Sequence, residues 1–133
     1  MNFDPVGVTK DGEPRMKYSR PFTILERIQL LQRSILVNSY AYYELNDNLL
    51  SDFDYDANAL QLVNLMREYP KEAKRSRYHR YFHDYCPAEG EPHYTSGFDL
   101  IARLQKNKEM YRIVSHDAHL ALKYKHERQG VYR

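Results

Sequence analysis

The sequence of 133 residues has few of the residues that mark several common protein classes. Its single cysteine excludes a disulfide framework within the chain and favours a reducing, cytoplasmic compartment. Its five glycines form no phosphate-binding loop. The apolar runs are short and broken by charges, so we expect no membrane span, and the first residues do not have the pattern of a secretory leader. The length fits one compact domain, residues 1–133.

Charge is present in nearly balanced amounts, but it is segregated along the chain. The formal net charge is only +2, yet no Lys or Arg occurs between Ser34 and Met66. That acidic window contains Glu44, Asp47, Asp52, Asp54 and Asp56. The following window, Arg67 to Arg80, contains six Lys or Arg residues against two Glu. The two windows could face each other in the fold, or they could offer an acidic and a basic surface to partners.

Helical periodicity dominates the sequence, and alternation typical of strands is nowhere sustained, so we predict an all-α fold. Residues 1–20 contain prolines and glycines and are predicted to be an extended arm. Thr23 and Glu26 have the spacing of a capping box, which places a helix start near Thr23. A second helix, capped by Ser51 or Asp52, should complete a helical hairpin over about 23–69.

The rest of the chain, residues 71–133, is predicted to be a basic helical region. A third helix is expected from Lys71 to Tyr85, followed by a loop from Cys86 to Ser96 that contains two prolines and a glycine. The apolar spacing of Phe98, Ile101 and Leu104, and of the residues after Met110, predicts one or two C-terminal helices.

The segment 39–56, SYAYYELNDNLLSDFDYD, combines a Tyr-Tyr helix end, an acidic turn and a Ser-Asp-x-x-Tyr-Asp helix start. It resembles the small N-terminal helical subdomain of NAD-dependent DNA ligases, and the resemblance covers residues 26–70. That resemblance implies binding of the nicotinamide mononucleotide half of NAD. The residues that match the binding motif are Tyr42, Tyr43, Asp52, Tyr55 and Asp56.

The resemblance also has consequences for enzyme activity and for the protein partner. A ligase needs a nucleotidyltransferase domain, for which the chain is too short, so we expect a non-enzymatic protein. Stand-alone relatives of the subdomain resemble accessory proteins of phages and prophages, which often block a host protein. We therefore expect an inhibitor of a host defence protein, such as a CRISPR nuclease of the Cas9 type, acting in the cytoplasm of the bacterial host. Its expected partner-binding residues are Glu44, Asp47, Asp52, Asp54 and Asp56.

Three histidines and the single cysteine form a candidate metal site. On a continuous helix, the first three candidate ligands would share one face at i, i+4 and i+7, and the fourth follows the loop. Imidazole and thiolate donors suit a structural, tetrahedral zinc ion. The candidate ligands are His79, His83, Cys86 and His93. The alternative is an exposed basic helix with incidental histidines and a buried cysteine that packs as a small apolar residue.

Two further patterns suggest weaker alternatives. His116, His119 and His126 lack the spacing of a metal site, and we expect them to make hydrogen bonds on a helix surface. The basic residues from Lys71 to Arg80 are interleaved with Tyr78 and Tyr81, and this segment could bind nucleic acid by phosphate contacts and base stacking. Nicotinamide nucleotide binding and nucleic-acid binding thus stand as alternatives to inhibition of a host protein.

Overall fold

The computed structural model describes residues 6–9, 13–17 and 21–131. The all-α class is confirmed, with six helices in the described part of the chain: α1 (Ile24–Glu44), α2 (Asp52–Glu68), α3 (Pro70–Arg75), α4 (His79–Phe82), α5 (Gly97–Leu104) and α6 (Lys108–Val131). Among the described helices, none has an apolar stretch long enough to cross a bilayer.

The N-terminal segment, predicted to be an extended arm, contains two short strands that were not predicted. β1 (Val6–Thr9) and β2 (Glu13–Lys17) pair antiparallel, with Val8 opposite Pro14 and Thr9 opposite Glu13. Proline lacks a backbone N–H, which weakens the sequence signal for a strand at this position.

The predicted helical hairpin is confirmed by α1 and α2. Side chains close in the sequence determine where these helices begin. Thr23 and Glu26 form the predicted capping box at the start of α1. Ser51 caps α2, since its hydroxyl accepts a hydrogen bond from the Asp54 amide at 3.1 Å. Between the helices, Asn46 adopts a positive φ of 54°, which asparagine tolerates better than most residues and which ends the helical path.

The prediction of one helix from Lys71 to Tyr85 is wrong. The chain forms two shorter helices, α3 and α4, and Ser76 after α3 has an extended backbone. Side chains of α1 hold this break. The Gln32 amide nitrogen donates to the Ser76 hydroxyl at 3.0 Å, and the Gln29 side-chain oxygen accepts from the Arg77 amide at 2.9 Å. The hydroxyl of Ser76 in turn donates to the Ala73 carbonyl.

The core lies around α1, which packs against α2, α3, α5 and α6. Fully buried aliphatic side chains on α1 meet others on α2 and α5, and Phe82 joins them from α4. Burial of this apolar surface is the main source of stability in a domain of this size. The core fixes the ends of α1 and α2 relative to the loop before α5, and a cavity lies between these three parts of the chain.

Candidate functional site

A cavity of ≈ 650 Å³ opens between the C-terminal part of α1, the first half of α2 and the loop before α5. We call it the tyrosine cleft. Its aromatic walls are Tyr42, Tyr43, Tyr55, Tyr85 and Tyr94. Its carboxylates are Asp52, Asp56 and Glu89, and no Lys or Arg of the described residues lines it. The cleft is therefore aromatic and negatively charged.

All five residues that the ligase resemblance associates with nicotinamide mononucleotide line this one cleft: Tyr42, Tyr43, Asp52, Tyr55 and Asp56. The two α1 tyrosines lie at the helix end, 54% and 44% exposed, so their rings can contact a ligand. The two aspartates are exposed, near the start of α2 on the opposite wall. The helical hairpin thus brings together residues of α1 and α2 that are 9 to 14 positions apart in the sequence.

Tyr55 is held in place at the base of the cleft. Its hydroxyl and the Ser39 hydroxyl are hydrogen-bonded at 2.8 Å, which joins α2 to α1. Burial raises the pKa of Tyr55 above its ordinary value, and the Ser39 hydrogen bond only partly opposes this. The phenol therefore stays neutral near physiological pH, and as a neutral group it can both donate and accept a hydrogen bond.

Edge-to-face contacts orient the two α1 tyrosines. The ring centroids of Tyr42 and Tyr43 are 4.8 Å apart at an interplanar angle of 87°. Tyr43 also contacts Phe98 edge-on, at 5.9 Å between centroids. Such pairs restrict rotation of the rings.

Sequence reasoning missed the wall contributed by the loop before α5, including Tyr85, Tyr94 and Glu89. The loop is closed by two hydrogen bonds, from the Thr95 amide to the Cys86 carbonyl at 2.7 Å and from the Cys86 amide to the Thr95 hydroxyl at 3.3 Å. Burial raises the pKa of Tyr94, as it does for Tyr43, so both phenols remain neutral. In the sequence, only the high number of tyrosines indicated that further tyrosines could belong to a binding surface.

The predicted acidic surface is divided in the structure. Glu44 accepts a hydrogen bond from the Tyr111 hydroxyl at 3.2 Å. Asp47 forms an ion pair with Lys125 at 3.0 Å and a hydrogen bond with His126 at 2.8 Å. The other three residues, Asp52, Asp54 and Asp56, are exposed near the start of α2. Part of the acidic window therefore binds basic groups of α6 within the chain.

The hydrogen bonds to the Asp47 carboxylate should make the stability of the fold depend on pH in the acid range. The hydrogen bonds from Lys125, from the Asn48 amide and from His126 lower the pKa of Asp47 from 3.8 to about 2. Because the folded-state pKa is the lower one, the carboxylate stabilises the fold above about pH 4, and this contribution is lost as the pH falls towards about 2. We expect Asp47→Asn to lower the thermal midpoint at neutral pH and to flatten its decline in this acid range.

Thermal unfolding followed by circular dichroism across the acid range measures this effect. Asp54→Asn is the matched control, because within the described residues its carboxylate has no hydrogen bond or ion pair. If the thermal midpoint of Asp47→Asn falls with decreasing pH as steeply as that of the unmodified protein, the expectation is contradicted.

The structure does not bring the four predicted zinc ligands together. Helix α4 ends at Phe82, so Cys86 is not on the same helical face as His79 and His83, whose ring centroids are 6.2 Å apart. Across the residues that the structure describes, no three His, Cys, Asp or Glu side chains are grouped so that they could hold a metal ion. Zinc binding through His79, His83, Cys86 and His93 stays a prediction from the sequence.

The C-terminal histidines behave largely as expected. His119 Nδ1 lies 2.8 Å from the Ser115 carbonyl oxygen, and His126 Nε2 lies 2.8 Å from Asp47. The first of these hydrogen bonds lies within α6, and the second joins α6 to the turn after α1.

The basic segment does not offer the stacking surface that nucleic-acid binding was expected to use. Tyr78 and Tyr81 are 4% and 3% exposed and belong to the core. Arg77 and Arg80 lie over these rings, at 5.5 and 6.0 Å from the ring centroids to the guanidinium carbon. Arg77 and Arg80 themselves are exposed, but these two rings are buried and cannot stack on bases.

Comparison with known proteins finds similarity to DNA ligases in part of the chain. A segment of 51 residues is 35% identical to the DNA ligase of Thermotoga maritima and covers 38% of this chain but 7% of the ligase. A segment of 45 residues is 44% identical to the DNA ligase of Porphyromonas gingivalis and covers 34% of this chain and 7% of the ligase. Part of this chain is ligase-like. No family model and no solved structure matches the chain.

Proposed function

We propose that this protein binds a nicotinamide nucleotide in the tyrosine cleft. The observation that carries the proposal is the position of Tyr42, Tyr43, Asp52, Tyr55 and Asp56, which all line one cavity. The partial similarity to DNA ligases supports the same ligand class. Because the ligase-like segment covers 7% of those ligases, strand joining does not form part of the proposal.

The chemistry of the cleft suits this ligand. The cavity of ≈ 650 Å³ lies within the range of about 300–1,000 Å³ that is usual for small-molecule sites. Nicotinamide in its oxidised nucleotides is a cationic aromatic ring, which tyrosine faces attract through their π-electrons. The carboxylates of Asp52 and Asp56 add attraction for the positive charge and can accept hydrogen bonds from ribose hydroxyls.

Isothermal titration calorimetry with nicotinamide mononucleotide tests the proposal. We expect Asp56→Asn to weaken binding by about tenfold, the loss of one charge-assisted interaction in the cleft. Asp54→Asn is the matched control: it removes the same charge from the first turn of α2, but Asp54 does not line the cleft. We expect its affinity to stay within about twofold of the unmodified protein.

Two results would contradict the proposal. One is the absence of heat with nicotinamide mononucleotide at millimolar concentration. The other is equal weakening by Asp56→Asn and Asp54→Asn, which would indicate a general charge effect rather than a contact in the cleft.

Inhibition of a CRISPR nuclease stays a prediction from the sequence. Glu44 and Asp47 make a hydrogen bond and an ion pair within the chain. The acidic surface expected to bind the nuclease therefore reduces to Asp52, Asp54 and Asp56. Two of these three residues also line the tyrosine cleft. A protein partner that docks on them would therefore compete with nicotinamide mononucleotide, and a competition titration distinguishes the two roles.

A further inference from the structure

The turn between α1 and α2, residues 45–51, forms one wall of the tyrosine cleft. Three consecutive turn residues line the cleft: Asn48, Leu49 and Leu50. Asp52, which also lines the cleft, begins α2 directly after the turn. A displacement of the turn would therefore move a wall of the cleft together with one of its carboxylates.

The Asp47 carboxylate connects this turn to α6. One carboxylate oxygen accepts hydrogen bonds from the Asn48 amide at 2.7 Å and from Lys125 Nζ at 3.0 Å. The other carboxylate oxygen lies 2.8 Å from His126 Nε2. Lys125 Nζ also donates to the Asn48 carbonyl oxygen, so a single ammonium group binds both a side chain and the backbone of the turn.

The ion pair between Lys125 and Asp47 is partly buried, with the two side chains 25% and 27% exposed. Partial burial reduces the screening of the pair by salt. The hydrogen bond from Lys125 is the largest of the effects that lower the pKa of Asp47 to about 2, so the carboxylate is ionised at neutral pH. The link between α6 and the turn is therefore in place under ordinary conditions.

Helix α6 makes a second contact at the end of α1. The Tyr111 hydroxyl donates to Glu44, the last residue of α1, at 3.2 Å, and the Tyr111 ring packs edge-on against Tyr40 with centroids 5.4 Å apart. Within the part of the chain that the structure describes, no residue of α6 itself lines the cleft. The helix also lies outside residues 26–70, over which the chain resembles the ligase subdomain.

We propose that Lys125 is a positioning residue for the tyrosine cleft: it binds the turn and so holds Asn48, Leu49 and Leu50 where they form a wall of the ligand site. This rests on the proposed function, because the expected effect is on the affinity for a nicotinamide nucleotide. Lys125 does not touch the ligand. It restricts the conformations of the turn before binding, which lowers the entropy cost of ordering this wall around a ligand.

Calorimetry with nicotinamide mononucleotide tests the positioning role. We expect Lys125→Gln to weaken binding by about fivefold, a usual effect for a residue that acts on a site without contacting the ligand. Lys125→Arg keeps the positive charge and can still donate to the Asp47 carboxylate, so its affinity should stay within about twofold of that of the unmodified protein.

Arg33→Gln is the matched control for Lys125→Gln. It breaks the ion pair between Arg33 and Asp117, 3.0 Å long, which also joins α6 to α1 but whose residues do not line the cleft. Both variants remove one positive charge, so a general charge effect would change the two affinities alike. We expect the affinity of Arg33→Gln to change by no more than about twofold.

Amide hydrogen exchange, followed by NMR without a ligand, measures the turn directly. The Asp47 amide donates to the Ala41 carbonyl at 3.0 Å, so its exchange rate reports opening of the turn. We expect this amide to exchange faster in Lys125→Gln than in the unmodified protein and at an unchanged rate in Arg33→Gln.

The two measurements separate failure of this inference from failure of the proposed function. If the unmodified protein binds nicotinamide mononucleotide, unchanged affinity in Lys125→Gln overturns the inference. So does an equal loss of affinity in Arg33→Gln or in Lys125→Arg, or an unchanged exchange rate of the Asp47 amide in Lys125→Gln. If the unmodified protein does not bind the nucleotide, the proposed function fails and this inference fails with it, whatever the exchange rates.

Discussion

Replacing Phe82 with alanine is expected to lower the free energy of unfolding by about 3–5 kcal/mol, the range measured for buried phenylalanines. The ring is 1% exposed and lies in the core between α4 and the rest of the helices. Truncation would remove its buried apolar surface and its edge-to-face contact with Tyr85, and the short α4 has little local structure with which to fill the space. Urea unfolding followed by circular dichroism measures the change.

Phe53→Ala is the matched control for this experiment, because Phe53 is 80% exposed. We expect it to change stability by no more than about 0.5 kcal/mol, as is usual for surface substitutions. If Phe82→Ala does not fold, Phe82→Leu retains most of the apolar volume and should cost about 1–2 kcal/mol. Equal stability of Phe82→Ala and Phe53→Ala would show that α4 does not hold the core together.

The helices that the sequence predicted well are those whose ends depend on neighbouring residues. Thr23 and Glu26 cap α1 across three positions, and Ser51 caps α2 in the same way. The helix over Lys71 to Tyr85 was wrong because the break at Ser76 is held by Gln29 and Gln32, more than forty positions away. Periodicity does not contain that tertiary information.

The same distinction, between local and tertiary information, explains which residues of the candidate site could be predicted from the sequence. The motif residues from Tyr42 to Asp56 span one hairpin, so a local pattern was enough to identify them. Tyr85 and Tyr94 reach the cleft only because the loop from Cys86 to Thr95 is closed by hydrogen bonds between its ends. The arrangement of His79, His83 and Cys86 on one helical face required a helix through Cys86, whereas α4 ends at Phe82.

Gly97→Ala is expected to weaken binding of nicotinamide mononucleotide by about thirtyfold, which corresponds to an overpacking cost of about 2 kcal/mol. Gly97 begins α5 and lies against the base of the tyrosine cleft. A Cβ atom there would lie 2.8 Å from Tyr43 Cε2, 2.9 Å from the Ser39 hydroxyl and 3.2 Å from the Tyr55 hydroxyl. The added methyl must displace Tyr43 or Ser39 and press on the Tyr55 hydroxyl, so it disturbs two of the five aromatic walls of the cleft.

The clash should affect the cleft more than the fold. Tyr43 is 44% exposed and can move outward, whereas Ser39 is 1% exposed and cannot move away from Tyr55 without breaking their hydrogen bond. Alanine also favours a helix more than glycine does, which offsets part of the steric cost to stability. We therefore expect a folded protein, by circular dichroism, with a distorted site.

Gly90→Ala separates a distorted site from a merely less stable protein. Gly90 has a φ of +92°, which alanine rarely adopts, but an added Cβ meets no atom within 4 Å. We expect this variant to lose about 1–2 kcal/mol of stability while its affinity stays within about twofold. Calorimetry on the two glycine variants decides the matter: unchanged affinity in Gly97→Ala, or equal losses in both, would mean that the close approach of α5 to Tyr43 and Tyr55 does not shape a binding site.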